Sequence, residues 1–374
     1  MQFNEVYMTG IKTSPFKQFA GDFSDRLHPF YFLNTTDIFE RIVSRTHEHF
    51  WDPNDSAYID FNTPFDLKRQ AIMPFDTVPE LCSPIAELLT AEQKVEFAND
   101  SVHWWLSGFL HGEQGALSLA LSLCDTLQSP SAVEYAANQA REEARHVTAF
   151  TNYIFLRWGK PLPVNPVFGK LLFNIVTANK IHRKIIGMLV LVEGLAMGFM
   201  ANLYAKSNDP LLKRLAQLVM TDEAFHHKAG KLWAEYDLCN LDNNEKNDAE
   251  DWALECFQAL MFNVFNPTQK SHLYSKYGLK VEQVRDVMRS SYTEDARRRE
   301  MSDVSSVFRV LVRTLINSKI VTNRTIDFYK KWVDVDSLLG DEENPIEDVI
   351  TAEGLSFLQE VNDRKKQIHR PKRA

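Results

Sequence analysis

Glycine is scarce in this chain. Its 374 residues include 14 glycines and 15 prolines, fewer breakers than average usage supplies, which favours long helices. A collagen-like repeat, with glycine at every third position, is excluded. There are only four cysteines, Cys82, Cys124, Cys239 and Cys256, with no CxxC spacing. A disulfide scaffold and a cysteine zinc site are thereby excluded, and reduced thiols in a cytoplasm are expected. Positive charge is not in excess: 42 Lys+Arg face 50 Asp+Glu, a formal net charge of −8. No nucleic-acid partner is expected, since such binders carry a basic stripe. The N-terminus, MQFNEVYMTG, lacks the charged-then-apolar order of a signal peptide. Long uncharged apolar runs are also few. From Ile185 to Tyr204 the only charge is Glu193. Twenty such residues suffice to span a bilayer, but a carboxylate at their centre is costly in lipid. A helix buried on all sides of a bundle accounts for the same residues, so no membrane partner is expected.

What is present is a chain of ordinary globular composition, 44% apolar and 25% charged, and intrinsic disorder is excluded. The fold class expected is all-α. Residues 1–90 are rich in aromatics, Pro and Asp, as in Phe50-Trp51-Asp52-Pro53 and Pro74-Phe75. They read as a segment that wraps onto something larger. Over 91–236 breakers fall only between long helical runs: Gln128-Ser129-Pro130, Gly159-Lys160-Pro161, and Ser207-Asn208-Asp209-Pro210. Four long helices are expected there, the third over 165–206. Asp209-Pro210 supplies an Asp cap with Pro at the first helical position. Residues 237–374 read as additional helices packed on the same domain. A polar loop over 243–247 precedes helices at about 249–264 and 301–319, and a basic tail runs from Asp363 to Ala374.

The chemistry lies in the four central helices. Each carries a Glu on an apolar face. Around Glu113 the same-face neighbours are Leu106, Phe109, Leu110, Ala116, Leu117 and Ala120; around Glu193 they are Ile186, Leu189, Val190, Met197 and Met200. Residues three, four and seven apart share a helix face. These carboxylates therefore point into the core, where an ionised one must be paired, protonated or bound to metal. Glu143 and His146 form Glu-x-x-His, and Glu223 and His226 form a second. That spacing puts Glu and His on one face. Four carboxylates and two imidazoles suit a pair of divalent first-row metals.

The register agrees. Glu113 to Glu143 is 30 residues, as is Glu193 to Glu223, and the midpoints 128 and 208 fall in the expected turns. A chain that climbs about fifteen residues and descends about fifteen returns to the same height. Each helical hairpin thus sets its two carboxylates level. The competing reading makes these groups partners in buried ion pairs with Arg141, Arg145 or Lys228. Small residues near the carboxylates, Gly112, Gly115, Ala116, Gly194 and Gly198, either make room for a substrate or let helices pack closely.

Over 91–236 the sequence resembles the ferritin-like di-iron carboxylate superfamily. That group includes acyl-carrier-protein desaturases, multicomponent monooxygenase hydroxylases, the ribonucleotide reductase small subunit and aminobenzoate N-oxygenases. The resemblance implies a ferritin-like four-helix bundle. It implies that Glu113, Glu143, His146, Glu193, Glu223 and His226 are the catalytic metal ligands. It implies that Glu142 and Asp222 accept hydrogen bonds from ligand imidazoles of the opposite helix pair. The cofactor implied is two Fe ions, with Mn or a mixed Mn/Fe pair using the same ligands, and O2 as co-substrate. The activity implied is oxidation of a small-molecule substrate by hydroxylation, desaturation or N-oxygenation. An electron-donor protein, a ferredoxin or a reductase, and a homodimer are expected with it. The alternatives are a radical-generating or oxidase-type protein and a metal-storage bundle. Several positions depart from individual members. Phe150 stands four beyond His146, where the reductase subunit has its radical Tyr, and no tyrosine follows Tyr329. Met197 replaces the hydroxylases' Thr, and Val219 replaces the N-oxygenases' additional His. Tyr153 is expected to be a core aromatic with a hydrogen-bonded hydroxyl.

Overall fold

The computed structural model describes residues 18, 23–27, 39, 43, 49–291, 307–338 and 346–368. Most of the basic tail's end, residues 369–374, and the first residues of the helix expected at 301–319 lie outside them. Helix is the regular secondary structure of the described residues. They form no strand, only an isolated antiparallel bridge between Gln18 and Leu127.

Four long helices carry the centre of the molecule. The first, α1, spans Ala91–Thr126 and starts at a capping box. Thr90 accepts from the Gln93 amide while the Gln93 side chain accepts from the Thr90 amide, which satisfies two orphan donors at once. α2 spans Pro130–Trp158, with Pro at its first position, and ends at Gly159 in the left-handed conformation, φ 79°. The two lie side by side as an antiparallel hairpin. The second hairpin pairs Ile181–Lys206 with Pro210–Tyr236.

The single long helix expected over 165–206 is in fact two. α3 covers Pro166–Val176, capped by the Asn165 side chain. The chain then breaks at 177–180, and α4 runs over Ile181–Lys206. No Pro or Gly marks this break. The apolar face of α3 is instead held against α1, and the chain must turn before it can enter the bundle. α4 is the one described helix long and apolar enough to cross a membrane, and 83% of that apolar window is buried inside the protein. Its residues 186–192, IGMLVLV, are all buried and form a π-helical segment that ends as Glu193 begins. α5 is Pro210–Tyr236, started by the Asp209 side chain on the Leu211 amide.

The flanks pack on this frame. α6 spans Asn243–Phe265 and lies against α3 and the π segment. The residues expected as a polar loop, 243–247, are its first turns. Asp242 and Glu245 form a capping box there, so a run of polar residues reads as a helix start. α7 is Val281–Ser291 and α8 is Val307–Asn317, the latter packed on α4. α9, Ile346–Ile368, lies along α5 and α4. Residues 49–90 are turns and short 3-10 helices that deliver side chains to the bundle, among them the fully buried Trp51 and Ile72.

Candidate metal centre

All six residues singled out from the spacing meet in the core between the hairpins. Glu113, Glu143, His146, Glu193, Glu223 and His226 are buried, each less than 7% exposed. They fall into two groups of four. One is Glu113, Glu143, His146 and Glu223; the other is Glu143, Glu193, Glu223 and His226. Within each group one ligand atom per residue lies within 4.8 Å of the others. Glu143 and Glu223 belong to both groups. Glu113 and His146 complete one site, Glu193 and His226 the other.

The imidazoles fix the chemistry. His146 Nε2 donates to Asp222 Oδ2 at 2.8 Å, and His226 Nε2 donates to Glu142 Oε2 at 2.9 Å. Each bond crosses from one hairpin to the other. Nδ1 lies on the opposite side of each ring. Burial favours the neutral imidazole, but hydrogen bonds and charge from Asp222, Glu113 and Glu143 at His146, and from Glu223, Glu143 and Glu142 at His226, hold both rings well above the ordinary imidazole range, so in the metal-free cluster Nδ1 carries a proton that a metal ion would displace. His146 Nδ1 there faces three carboxylate oxygens: Glu113 Oε2 at 3.3 Å, Glu143 Oε2 at 3.3 Å and Glu223 Oε1 at 3.2 Å. His226 Nδ1 faces Glu143 Oε1 at 3.1 Å and Glu223 Oε2 at 3.3 Å.

A proton on Nδ1 serves one such oxygen well; a divalent cation serves all of them. Glu143 Oε2, Glu193 Oε2 and Glu223 Oε1 accept no hydrogen bond of acceptable geometry and are out of reach of solvent. Orphaned carboxylate oxygens out of reach of solvent are costly, and those of Glu143 and Glu223 stand 3.3 and 3.2 Å from His146 Nδ1. Without counter-charge the cluster cannot keep every carboxylate ionised. Burial, aided by neighbouring carboxylates, pushes Glu113 and Glu193 well above the usual carboxylate range. Glu143 goes the other way, because His226 and His146 outweigh the effect of burial. The donor set, two imidazole nitrogens and four carboxylates in two groups that share two members, fits a pair of divalent metal ions.

Two acids hold the imidazoles, and they are supported differently. Burial would raise Asp222, but Arg145 and His146 hold it at about 2. Arg145 Nε donates to its Oδ2 at 3.1 Å, and Arg145 Nη2 is 2.6 Å from its Oδ1. The Trp51 indole donates to the same Oδ2 at 2.8 Å. Glu142 accepts from Asn138 Nδ2 at 3.1 Å and has Arg145 Nη2 at 3.5 Å. Arg145, considered above as an ion-pair partner of the six, instead neutralises these two acids. Gln139, one turn before Glu143, donates from Nε2 to Glu143 Oε1 and Glu193 Oε1 at 3.2 and 3.3 Å.

Trp51, Asn138 and Gln139 were not singled out from the sequence. Gln139 carried a signal: a polar residue on the same helix face as Glu143 and His146. Trp51 carried none, because 171 residues separate it from Asp222. Tyr135, one turn before Gln139, is a further buried polar group, and its hydroxyl has no hydrogen-bond partner among the described residues. Tyr153 donates to Asp209 Oδ2 at 2.7 Å and lies in the core. His227 is largely buried: its Nδ1 donates to the Leu189 carbonyl in the π segment at 3.1 Å, and burial lowers it to about 4. His103 and His111 bond the Lys160 and Leu162 carbonyls.

One face of the cluster opens on a cavity of about 110 Å³ lined by Glu113, Glu193 and Glu223 together with apolar side chains of α1, α4 and α6. His146 and His226 do not line it. Gly112 and Ala116 do, while Gly115 lets Leu172 of α3 approach α1, where an added Cβ would stand 2.9 Å from Leu172 Cδ2. Gly194 lies against Leu311 and His227. The comparisons with protein-family models and with curated proteins find no match for this chain.

Proposed function

We propose that this chain is a ferritin-like di-metal oxidoreductase that uses a non-haem di-iron centre to activate O2 and oxidise a small organic substrate. The observation that carries the reading is the pair of imidazole Nδ1 atoms facing the shared carboxylates Glu143 and Glu223, each ring held from behind by an acid of the opposite hairpin. Glu113, Glu143, His146 and Glu223 would hold one ion; Glu143, Glu193, Glu223 and His226 the other. Bound iron supplies redox equivalents and a place for O2 to react.

The chain's own residues do the rest. Asp222 and Glu142 keep the proton on Nε2 of each imidazole, which leaves Nδ1 free to act as a ligand. Gln139 ties Glu143 to Glu193 and fixes the spacing of carboxylates from two hairpins. The apolar walls of the adjoining cavity exclude water and hold a substrate beside the carboxylates. Turnover needs two electrons from a donor, for which a ferredoxin or a flavin reductase is the natural class. Hydroxylation, desaturation and N-oxygenation share these requirements. Manganese, alone or mixed with iron, would use the same donors.

One observation favours the radical-generating alternative. Trp51, an oxidisable indole, is hydrogen-bonded through Asp222 to His146. An electron paramagnetic resonance signal from a tyrosyl or tryptophanyl radical after exposure to O2 would promote that reading over substrate oxidation. The direct test of the leading one is to load metal-depleted protein with Fe(II) without oxygen and then admit O2. Two irons per chain and new optical absorption from oxidised iron are expected. Failure to bind iron, or bound iron that stays unchanged in O2, would overturn it.

A further inference from the structure

Trp51 stands behind the centre, and a loop rather than a helix brings it there. Its ring is fully buried and nearly parallel to the His146 ring, with centroids 6.1 Å apart, and the Arg145 guanidinium lies over it at 5.2 Å. Its indole N–H donates to Asp222 Oδ2, the same atom that accepts from His146 Nε2. The chain around it, residues 50–62, is turns and extended pieces. Asp52 and Asp55 shape these turns by accepting from the Asn54 and Ala57 amides. Such local bonds do not fix where the loop sits on the bundle.

What fixes it comes from the other end of the chain. Asn362 of α9 donates from Nδ2 to the Phe50 carbonyl at 3.0 Å and accepts from the Tyr58 hydroxyl at 2.6 Å. One side chain thus ties down the chain on both sides of Trp51. Lys365, three residues further on, pairs with Asp55 and lies 4.5 Å from the centroid of the Tyr58 ring. Residues 354, 358, 361, 362 and 365 share one face of α9. Leu358 and Val361 on that face are buried, so it is the face held against the rest of the protein.

α9 meets α5 at the residue next to Asp222. A Cβ at Gly354 would stand 2.0 Å from Thr221 Oγ1, so the helix can lie this close only with glycine there. Arg214 of α5 lies over the Phe357 ring at 3.7 Å, and Tyr204 of α4 donates to Glu353 at 2.8 Å. The contacts close a circuit: from Thr221 to α9, about two turns along it to Asn362, through the loop to Trp51, and back to Asp222. The other imidazole is supported locally. Glu142, behind His226, has Asn138 and Arg145 beside it, both residues of its own helix α2.

We infer that α9 is a strap that positions Trp51 behind the Asp222–His146 pair, that Asn362 is its positioning residue, and that the strap makes the two metal sites unequal. When Asn362 lets the loop go, the indole N–H leaves Asp222 Oδ2, and the acid that holds His146 loses one of its donors. The acid that holds His226 keeps its own. The consequence for metal rests on the reading of the cluster as a di-metal centre; the placing of Trp51 does not.

The test has two readouts. The first is fluorine NMR of metal-free protein labelled with 5-fluorotryptophan. The Trp51 resonance, identified by its absence in Trp51→Phe, should move in Asn362→Leu and move less in Tyr58→Phe. The second is Fe(II) affinity without O2, by chelator competition, in proteins that keep one site each. Glu193→Ala keeps the His146 site and Glu113→Ala the His226 site. Adding Asn362→Leu should weaken Fe(II) about 3- to 10-fold in the first, the worth of one net hydrogen bond, and by less than about 2-fold in the second. Gly354→Ala, which pushes α9 off α5, should repeat that pattern, and Thr221→Ala added to it should restore affinity by removing the clashing oxygen. A general loss of stability would weaken both sites alike. Equal weakening of the two sites, or an unmoved Trp51 resonance in Asn362→Leu, would overturn the proposal. Wild-type protein that takes up no iron, with a Trp51 resonance that moves as expected, would contradict the metal centre and not the strap.

Discussion

The two hairpins of the bundle are near-equals in sequence and unequal in structure. Each has a Glu on its first helix, Glu-x-x-His on its second, 30 residues between the glutamates and a turn at the midpoint. In α1–α2 the first helix is α-helical throughout. In α4–α5 the turn before Glu193 is π-helical. The turns differ as well. Asp209 caps α5 and also receives Tyr153 and Arg157, whereas Ser129 makes no side-chain cap to α2 and pairs with the Ser131 hydroxyl. The second hairpin's acid, Asp222, carries Trp51, Arg145 Nε at 3.1 Å and Arg145 Nη2 at 2.6 Å; the first hairpin's Glu142 carries Asn138 and meets the same Arg145 Nη2 only at 3.5 Å. A doubled motif thus places equivalent ligands, while the surroundings make the two halves chemically distinct.

The largest expected difference is not between hairpins but between shared and unshared carboxylates. Glu143→Ala should lose both metals, because Glu143 belongs to both groups. Glu113→Ala and Glu193→Ala should each lose one. Iron per chain measured after anaerobic loading decides this, and equal losses for all three would break the assignment of shared ligands.

Next in size is the contrast between the turns. Asp209 is fully buried, and Arg157, whose side chain is 5% exposed, forms its ion pair with Asp209. Asp209→Ala strands that cation, uncaps α5 and leaves the Tyr153 hydroxyl without its acceptor, at a cost of about 3–5 kcal/mol. Ser129→Ala should cost less than about 1 kcal/mol. Urea unfolding of both variants measures the gap.

The acids behind the imidazoles give a smaller contrast. Asp222→Asn weakens the hold on His146 and removes the counter-charge of Arg145, so metal affinity at that site should fall about 10- to 100-fold. Glu142→Gln should lie at or below the bottom of that range, since Arg145 approaches Glu142 only to 3.5 Å. Competition with a chelator of known affinity reads both.

The smallest contrast concerns glycines against α3. A Cβ at Gly187, in the π segment, would stand 2.6 Å from Ile175 Cγ1, and the rest of that branched side chain also crowds it. Gly187→Ala should cost about 1–3 kcal/mol by overpacking. At Gly115 the clash is with the far end of Leu172, which can rotate away, and alanine gains about 1 kcal/mol of helix propensity. Gly115→Ala should be near neutral in thermal unfolding.

The parts legible in the sequence were those governed by local periodicity. The apolar faces placed Glu113 and Glu193 in the core, the Glu-x-x-His spacing paired ligand types, and the breakers marked both hairpin turns. The π segment was not legible because 186–192 is apolar at every position; a one-residue shift in an all-round apolar run leaves no periodic trace. The break at 177–180 lacked Pro and Gly and is imposed by packing of α3. Trp51 reaches the centre from a segment remote in sequence, and such a contact leaves no spacing to read.

The central claim is two metal sites joined by Glu143 and Glu223. Crystals of the iron-loaded protein, measured at the iron absorption edge, test it most directly. Two anomalous peaks are expected, both flanked by Glu143 and Glu223, one beside His146 Nδ1 and the other beside His226 Nδ1. A single peak, or peaks away from these six side chains, would contradict it.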